Sequence, residues 1–228
     1  MRILIASHES LAAAPSGRAA HACAYGLATL GHDVRLLVVE GSESAEHEPN
    51  VRRVLCHADA PPAPLRFGPP VFDGHDPAGR GLRFTAMSDR QLTEYRDVLR
   101  EEFDRQIDLY DPSIVHCQHV FLFGHLALEA GVPYVLSAYG DEFAAYDADP
   151  RYRRFMQEAA ENAGRILTHD AAAARGVEAL VGSLEGRVVP FPLPGADQLH
   201  SGRWWQPLPQ LYSDVVVERF GRLPDEAN

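Results

Sequence analysis

The feature that most constrains this chain is the regular exchange of two hydrophobic periods along it. Short apolar runs of strand length alternate with longer segments whose apolar residues recur at helical spacing, the pattern of βαβ units that feed a parallel sheet. Strands are predicted at 2–7, 33–39, 51–56, 113–117, 133–138, 164–168 and 187–191, and helices at about 17–30, 90–108, 121–131, 150–162, 170–182 and 204–219. In the first helix Ala20, Cys23, Ala24, Leu27, Ala28 and Leu30 share one face, and Gly31 supplies the C-cap. Ser88-Asp89 and Asp149-Pro150 mark helix starts, because a short polar side chain can accept from backbone N–H groups left unpaired in the first turn. The expected fold is α/β: a single Rossmann-like, doubly wound, mostly parallel sheet of about seven strands with helices on both faces. It spans 1–200, a closing helix at 201–222 packs on the same domain, and 223–228 is expected to be a disordered tail.

Composition bounds the partners. At 228 residues with 46% hydrophobic and 23% charged side chains, the chain suffices for one cored domain and is short for two. A net charge of -11 argues against nucleic acid and anionic lipid, which are bound through clustered Lys and Arg; the nearest approach to a cluster is Arg151, Arg153 and Arg154. Cys23, Cys56 and Cys117 form no C-x-x-C pair and are odd in number, which points to free buried thiols in a reducing cytoplasm. Ser7-His8-Glu9-Ser10 interrupts the first apolar run too early for a secretory signal, and no segment approaches a membrane span. The stretch 58–90 is rich in Pro and Gly and too long for a simple connector; Phe67, Val71, Phe72 and Phe84 within it predict an ordered lid or rim.

The polar residues capable of chemistry share one place. His8 follows the first strand, and Ser16, Gly17 and Arg18 open the first helix. His116 to His119 end the fourth strand, Tyr139-Gly140-Asp141-Glu142 follow the fifth, His169-Asp170 follow the sixth, and Pro192 to Asp197, with Gly195, follow the seventh. All therefore fall at the carboxyl ends of the strands, the crevice where such sheets bind ligands. His116-x-x-His119, with His125 beyond, has the residue types of a metal site, but the strand-to-loop setting splays the two rings and no Cys or carboxylate completes a set, so no metal is expected. His119 is read as a hydrogen-bonding group facing a polar ligand, against the alternative of a packing histidine. Asp141 and Glu142 diverge as loop neighbours, which favours hydrogen bonding to hydroxyls or backbone amides over a matched acid/base pair.

These pieces together resemble the N-terminal, acceptor-side domain of a family 4, GT-B-type retaining glycosyltransferase. The resemblance rests on Arg2-Ile-Leu-Ile5, the Ser16-Gly17 loop, Gly31-His32-Asp33-Val34, Pro112-Ser-Ile-Val-His116-Cys-Gln-His119 and Gly131-Val-Pro-Tyr-Val-Leu-Ser137. It continues through Tyr139-Gly140-Asp141-Glu142, Ala160-Glu-Asn-Ala-Gly-Arg-Ile-Leu-Thr168 and Val188-Val-Pro-Phe-Pro-Leu-Pro-Gly195-Ala-Asp197. In that family a second domain holds the nucleotide-sugar and the last helix crosses back onto the first. Here the boundary-like Gly195-Ala196-Asp197 is followed closely by a crossover-like helix from Trp204, which leaves no room for a donor domain and reads as an internal deletion. Two departures accompany this: one glycine stands where the family often has two, and Tyr139 stands where it often has a histidine.

The resemblance implies no cofactor of the chain's own, a nucleotide-sugar only through a partner, and association as a homodimer or with a separate donor-domain protein. The ligand is expected to be a sugar or small-molecule acceptor, with His119, Tyr139 and Glu142 nearest any chemistry. His8, Ser16, Gly17, Arg18, His116, Gly140, Asp141, His169, Gly195 and Asp197 would bind the ligand. Gly17 and Arg18 add a weak anion preference at a helix start, and Trp204 and Trp205 pack the last helix rather than stack on a sugar. A non-catalytic binding protein, and an enzyme acting on a small molecule without any sugar donor, are the alternatives.

Overall fold

Alternate residues of a strand face opposite sides of its sheet, and here both sides are apolar. The computed structural model describes residues 1–11, 14–41, 50–56, 64–72, 81–195, 198–199 and 203–221. Asp197 and the tail 223–228 lie outside the described residues. The strands are β1 (Arg2–Ser7), β2 (Asp33–Glu40), β3 (Val51–Leu55), the short pair β4 (Pro70–Val71) and β5 (Leu82–Arg83), then β6 (Ile114–Gln118), β7 (Tyr134–Ala138), β8 (Arg165–Thr168) and β9 (Val188–Pro190). The helices are α1 (Pro15–Thr29), α2 (Asp89–Tyr110), α3 (Leu122–Glu129), α4 (Glu142–Ala148), α5 (Pro150–Asn162), α6 (Ala171–Val181) and α7 (Leu208–Phe220).

Seven strands form one sheet in the order β3-β2-β1-β6-β7-β8-β9, every pairing parallel, and β4 with β5 makes a separate two-stranded piece. The order reverses between β1 and β6, so the switch point, and with it the crevice, lies at the carboxyl ends of those two neighbours. One face carries Leu4, Ala6, Leu37, Val39, Val115, Cys117, Leu136 and Ala138 against α2 to α6. The other carries Ile3, Ile5, Leu36, Val38, Ile114, Val135 and Leu167 against α1 and α7. Burial of both faces explains why the strands read as continuous apolar runs.

The helix starts follow local chemistry. Ser88 and Gln91 form a reciprocal capping box at α2, Asp149 accepts from the Arg151 N–H at α5, and Asp170 accepts from the Ala173 N–H at α6. Besides the short pair β4 and β5, which the sequence expectation did not place, two helical segments differ from it. Glu142–Ala148 is a short helix rather than loop, too brief to show a period, and α7 begins at Leu208, with Trp204 to Pro207 in turns before it.

In the Pro/Gly-rich excursion the described parts are ordered and packed. Leu65, Phe67, Phe72 and Phe84 are buried; the Phe84 ring lies 4.6 Å from that of Phe121, and the Tyr152 hydroxyl donates to the Phe84 carbonyl at 2.6 Å. The closing helix is docked across the α1 face. The Tyr212 hydroxyl meets His116 Nδ1 at 2.6 Å, and Arg165 forks onto Glu218 at 2.5 and 2.8 Å. Trp205 lies on Gly26 of α1, where a Cβ would stand 2.2 Å from the indole carbons. Gly26→Ala is therefore expected to push the indole off α1 and destabilise by about 1–3 kcal/mol, lowering Tm by roughly 2–4 °C per kcal/mol in a calorimetric scan. An unchanged Tm would show that Trp205 moves aside without penalty.

Candidate functional site

The loops after β1, β6, β7 and β8 converge at the switch point. His119 is their centre: it is fully buried, and its backbone sits at φ +73, a left-handed conformation uncommon outside glycine. That turn swings the ring out of the strand and between Phe72, at 4.3 Å, and Tyr139, at 4.8 Å between centroids. Its Nε2 stands 3.8 Å from Glu9 Oε2 and 3.7 Å from Asp141 Oδ1, too far for hydrogen bonds, and neither ring nitrogen has a hydrogen-bond partner.

Glu142 ties two loops together. Its Oε1 accepts from the Val120 and Tyr139 N–H groups, each at 3.2 Å, and its Oε2 accepts from the Gly140 N–H at 2.7 Å. Gly140 has φ +108, which only glycine adopts without strain, so the tight turn that presents its N–H depends on that residue. Burial raises the Glu142 carboxyl to about 7, with nearby Asp141 adding to the rise and His119 and backbone donors opposing it. Tyr139 donates from its hydroxyl to Gln118 Oε1 at 2.5 Å, and its ring lies 4.4 Å from that of His169. His169 donates Nδ1–H to the Phe191 carbonyl at 2.7 Å, leaving a buried Nε2 with no hydrogen bond; burial pulls its pKa down to about 4.

Several expected ligand residues are placed otherwise. His8 has both nitrogens engaged, with Nδ1 at 2.8 Å from the Tyr95 hydroxyl and Nε2 accepting from the Phe123 N–H at 3.3 Å. Its ring stacks 4.3 Å over Phe123, and burial, then His119, holds it well below the usual histidine range. His116 points to the opposite face of the sheet: besides Tyr212 it meets Ser137 Oγ at 2.8 Å through Nε2, and burial lowers it to about 3. Ser16 donates from its hydroxyl to the Glu9 carboxylate, which holds that carboxylate beside the start of α1. A Cβ on Gly17 would lie 1.9 Å from the Ser10 carbonyl oxygen, so this glycine is demanded by the chain's own loop. Arg18 is half-buried in the first turn of α1, while Gly195 is exposed with open space on its Cβ side.

The converging set is thus His119, Tyr139, Gly140, Asp141, Glu142 and His169, joined by Glu9 and Phe72, which the sequence reading missed. Glu9 stands in the same strand-end loop as His8 and was findable by that placement; Phe72 had no local signal linking it to His119. The floor is closed, with His119 and Glu142 fully buried, while Tyr139, Asp141 and His169 form a partly buried rim. A cavity of about 260 Å³ lies instead at the amino ends of β7 to β9, lined among others by Pro133, Gly164, Arg187 and Glu218, and shares no residue with this cluster. Among the described residues no helix is long and apolar enough to cross a membrane.

Solved structures share the fold. The sucrose-phosphate synthase of Thermosynechococcus elongatus is similar with a TM-score of 0.57 at 15% identity, over 84% of this chain and 48% of that one. A UDP-GlcNAc 2-epimerase from Methanocaldococcus jannaschii is similar with a TM-score of 0.53 at 10% identity, over 84% and 45%. This chain therefore spans about half the length of each. No curated protein matches the sequence. Residues 16–194 match the glycosyl transferase 4-like domain, and with the seven-stranded parallel sheet and its crevice already described, the chain belongs to that family.

Proposed function

We propose that this protein binds a sugar or another hydroxyl-rich acceptor at the rim formed by Tyr139, Gly140, Asp141 and His169, above His119. The observation that carries this reading is the set of ring nitrogens, two on His119 and one on His169, that are buried without hydrogen bonds at the switch point. A buried polar atom left unsatisfied costs about 1–3 kcal/mol, and ligand hydroxyls, which both donate and accept, are suited to recover it. Transfer of a glycosyl group would need a nucleotide-sugar held by another domain, supplied by a second copy of this chain or by a separate protein. The free, buried state of Cys23, Cys56 and Cys117 fits action in a reducing cytoplasm.

A donor-free role, as a binding protein or as an enzyme acting on the acceptor alone, is favoured by one further observation. The Ser10 carbonyl covers Gly17 and the Glu9 carboxylate lies beside the start of α1, where an incoming diphosphate would meet oxygen atoms rather than free amides. A thermal-shift screen separates the readings. Free sugars or glycosides at a hundredfold excess over Kd are expected to stabilise by about 2.7 kcal/mol, a rise of roughly 5–10 °C for a chain of this size, and His119→Ala to reduce that rise. Stabilisation by a uridine or guanosine diphosphate sugar alone would restore the donor-dependent reading, and silence toward every sugar class would remove both.

A further inference from the structure

The sequence reading expected no metal because no carboxylate completed a set around the histidines. The tertiary structure supplies one, built from other residues. His119, Asp141 and Glu142 each offer a ligand atom, and these atoms lie within 4.8 Å of one another. They come from two loops, after β6 and after β7, and Glu9 from the loop after β1 adds a third carboxylate 3.8 Å from the same His119 Nε2. We propose that His119, Asp141 and Glu142, with Glu9 alongside, hold one divalent first-row transition ion of the Zn²⁺ class.

Three observations point the same way. The first is the histidine itself, wholly buried and aimed at carboxylates with neither nitrogen hydrogen-bonded. Desolvated imidazole is well matched to an ion and poorly matched to nothing. The second is distance: 3.7 and 3.8 Å exceed a hydrogen bond but approach the edge of about 3.4 Å that joins two ligands of a tetrahedral ion with bonds near 2.0–2.1 Å. Asp141 and Glu9 would need to move by a few tenths of an ångström, and Glu142, within 4.8 Å of the other two ligand atoms, by as much as about 1.4 Å to reach that edge. The third is the backbone at φ +73, a conformation seldom kept by a histidine unless its surroundings or its task hold it there.

The donor chemistry also selects the ion. One imidazole with carboxylates is a mixed nitrogen and oxygen set, which suits Zn²⁺ and its first-row neighbours better than Ca²⁺ or Mg²⁺. The backbone N–H bonds to Glu142 do not exclude coordination through Oε2, which accepts only from the Gly140 N–H and keeps a second lone pair, whereas Oε1 is taken by the Val120 and Tyr139 N–H groups. Asp141, with its side chain 15% exposed, and Tyr139 stand at the partly buried rim, and movement of these two side chains would give the path of entry. Three protein ligands leave a coordination position for water or for a ligand hydroxyl. The ion site stands without the sugar reading, and either can hold alone.

The test uses the whole purified chain, freed of metal with a chelator and dialysed. Titration with Zn²⁺ by calorimetry is expected to show one ion per chain with a micromolar or lower Kd, and Co²⁺ to give a visible ligand-field band. His119→Gln should weaken binding by more than the roughly 10–100-fold that loss of a supporting partner costs, and Asp141→Asn should weaken it as well. His125→Gln is the control, since His125 pairs with Glu129 at 3.3 Å and Glu158 at 2.8 Å and is the obvious place for an adventitious ion. No bound ion in the wild type, an affinity unchanged by His119→Gln, or loss with His125→Gln alone would each overturn the assignment. Should His119→Gln fail to fold by near-UV circular dichroism, Asp141→Asn and the wild-type stoichiometry decide. A glycoside that stabilises chelator-treated protein while Zn²⁺ does not bind would uphold the sugar reading and sink the ion.

Discussion

Lowering the pH from 6.5 toward 4.5 is expected to strip most of the stability from this fold. Burial holds His8 well below the usual histidine range, His116 at about 3 and His169 at about 4. In the unfolded chain each takes its proton near 6.5. Between those limits the unfolded state binds more protons than the folded one, so stability rises with pH and is lost as pH falls through 6.5. Each histidine contributes about 1.4 kcal/mol per pH unit in that window. Glu142 acts with the opposite sign. Its folded value, raised from 4.5 to about 7, lets the native state hold a proton the unfolded state releases, which offsets roughly one histidine between those pH values.

The net slope is therefore about 3 kcal/mol per pH unit, against a total stability of about 5–15 kcal/mol for an ordinary domain. Urea midpoints at pH 7, 6 and 5, converted to free energies, would measure it. His116→Gln, which keeps hydrogen-bonding capacity toward Tyr212 and Ser137 but cannot titrate, should lower the slope by about 1.4 kcal/mol per unit. A stability that stays flat from pH 7 to 5 would mean that the buried rings take up protons in the folded state after all.

The other large effect is expected at Tyr212. Its side chain is fully buried between α7 and the sheet, and its hydroxyl meets a histidine that comes from the middle of β6. Tyr212→Ala removes a ring of core size, a loss of about 3–5 kcal/mol, and leaves His116 Nδ1 buried without its partner, which adds about 1–3 kcal/mol. Tyr212→Phe should show the second part alone. Denaturant unfolding of the two variants separates the terms, and amide hydrogen exchange across 208–220 tests their location. If both variants lose equally little, α7 is held chiefly by Val215, Val216 and the Arg165–Glu218 pair rather than by its tyrosine.

The His116 and His119 pair shows where sequence reasoning stops. The sequence groups both as crevice residues, yet His116 is the central residue of β6 and holds the closing helix, while His119 lies just past the strand's end and faces the switch point. Strand alternation put His116 on the face of Ile114, but the partner on that face, Tyr212, lies 96 residues away and left no local trace. The same holds for Phe72 over His119: the aromatics of the Pro/Gly-rich stretch signal packing, while the ring that Phe72 packs against depended on a contact across the fold. Helix caps at Ser88 and Asp149 were legible because donor and acceptor lie within a few residues of each other.

By itself the sequence determined the order and kind of the main elements, the parallel sheet with two buried faces, and the strand ends at which polar residues gather. Those follow from periodicity and short-range capping, which act between near neighbours. Only the tertiary structure decided which of those residues meet: Glu9, His119, Asp141 and Glu142 at the switch point, His8 and His116 turned to packing, Ser10 closed over Gly17. Such meetings depend on side-chain packing between loops brought together by the sheet order, and burial then alters the chemistry of each group in ways no local pattern encodes.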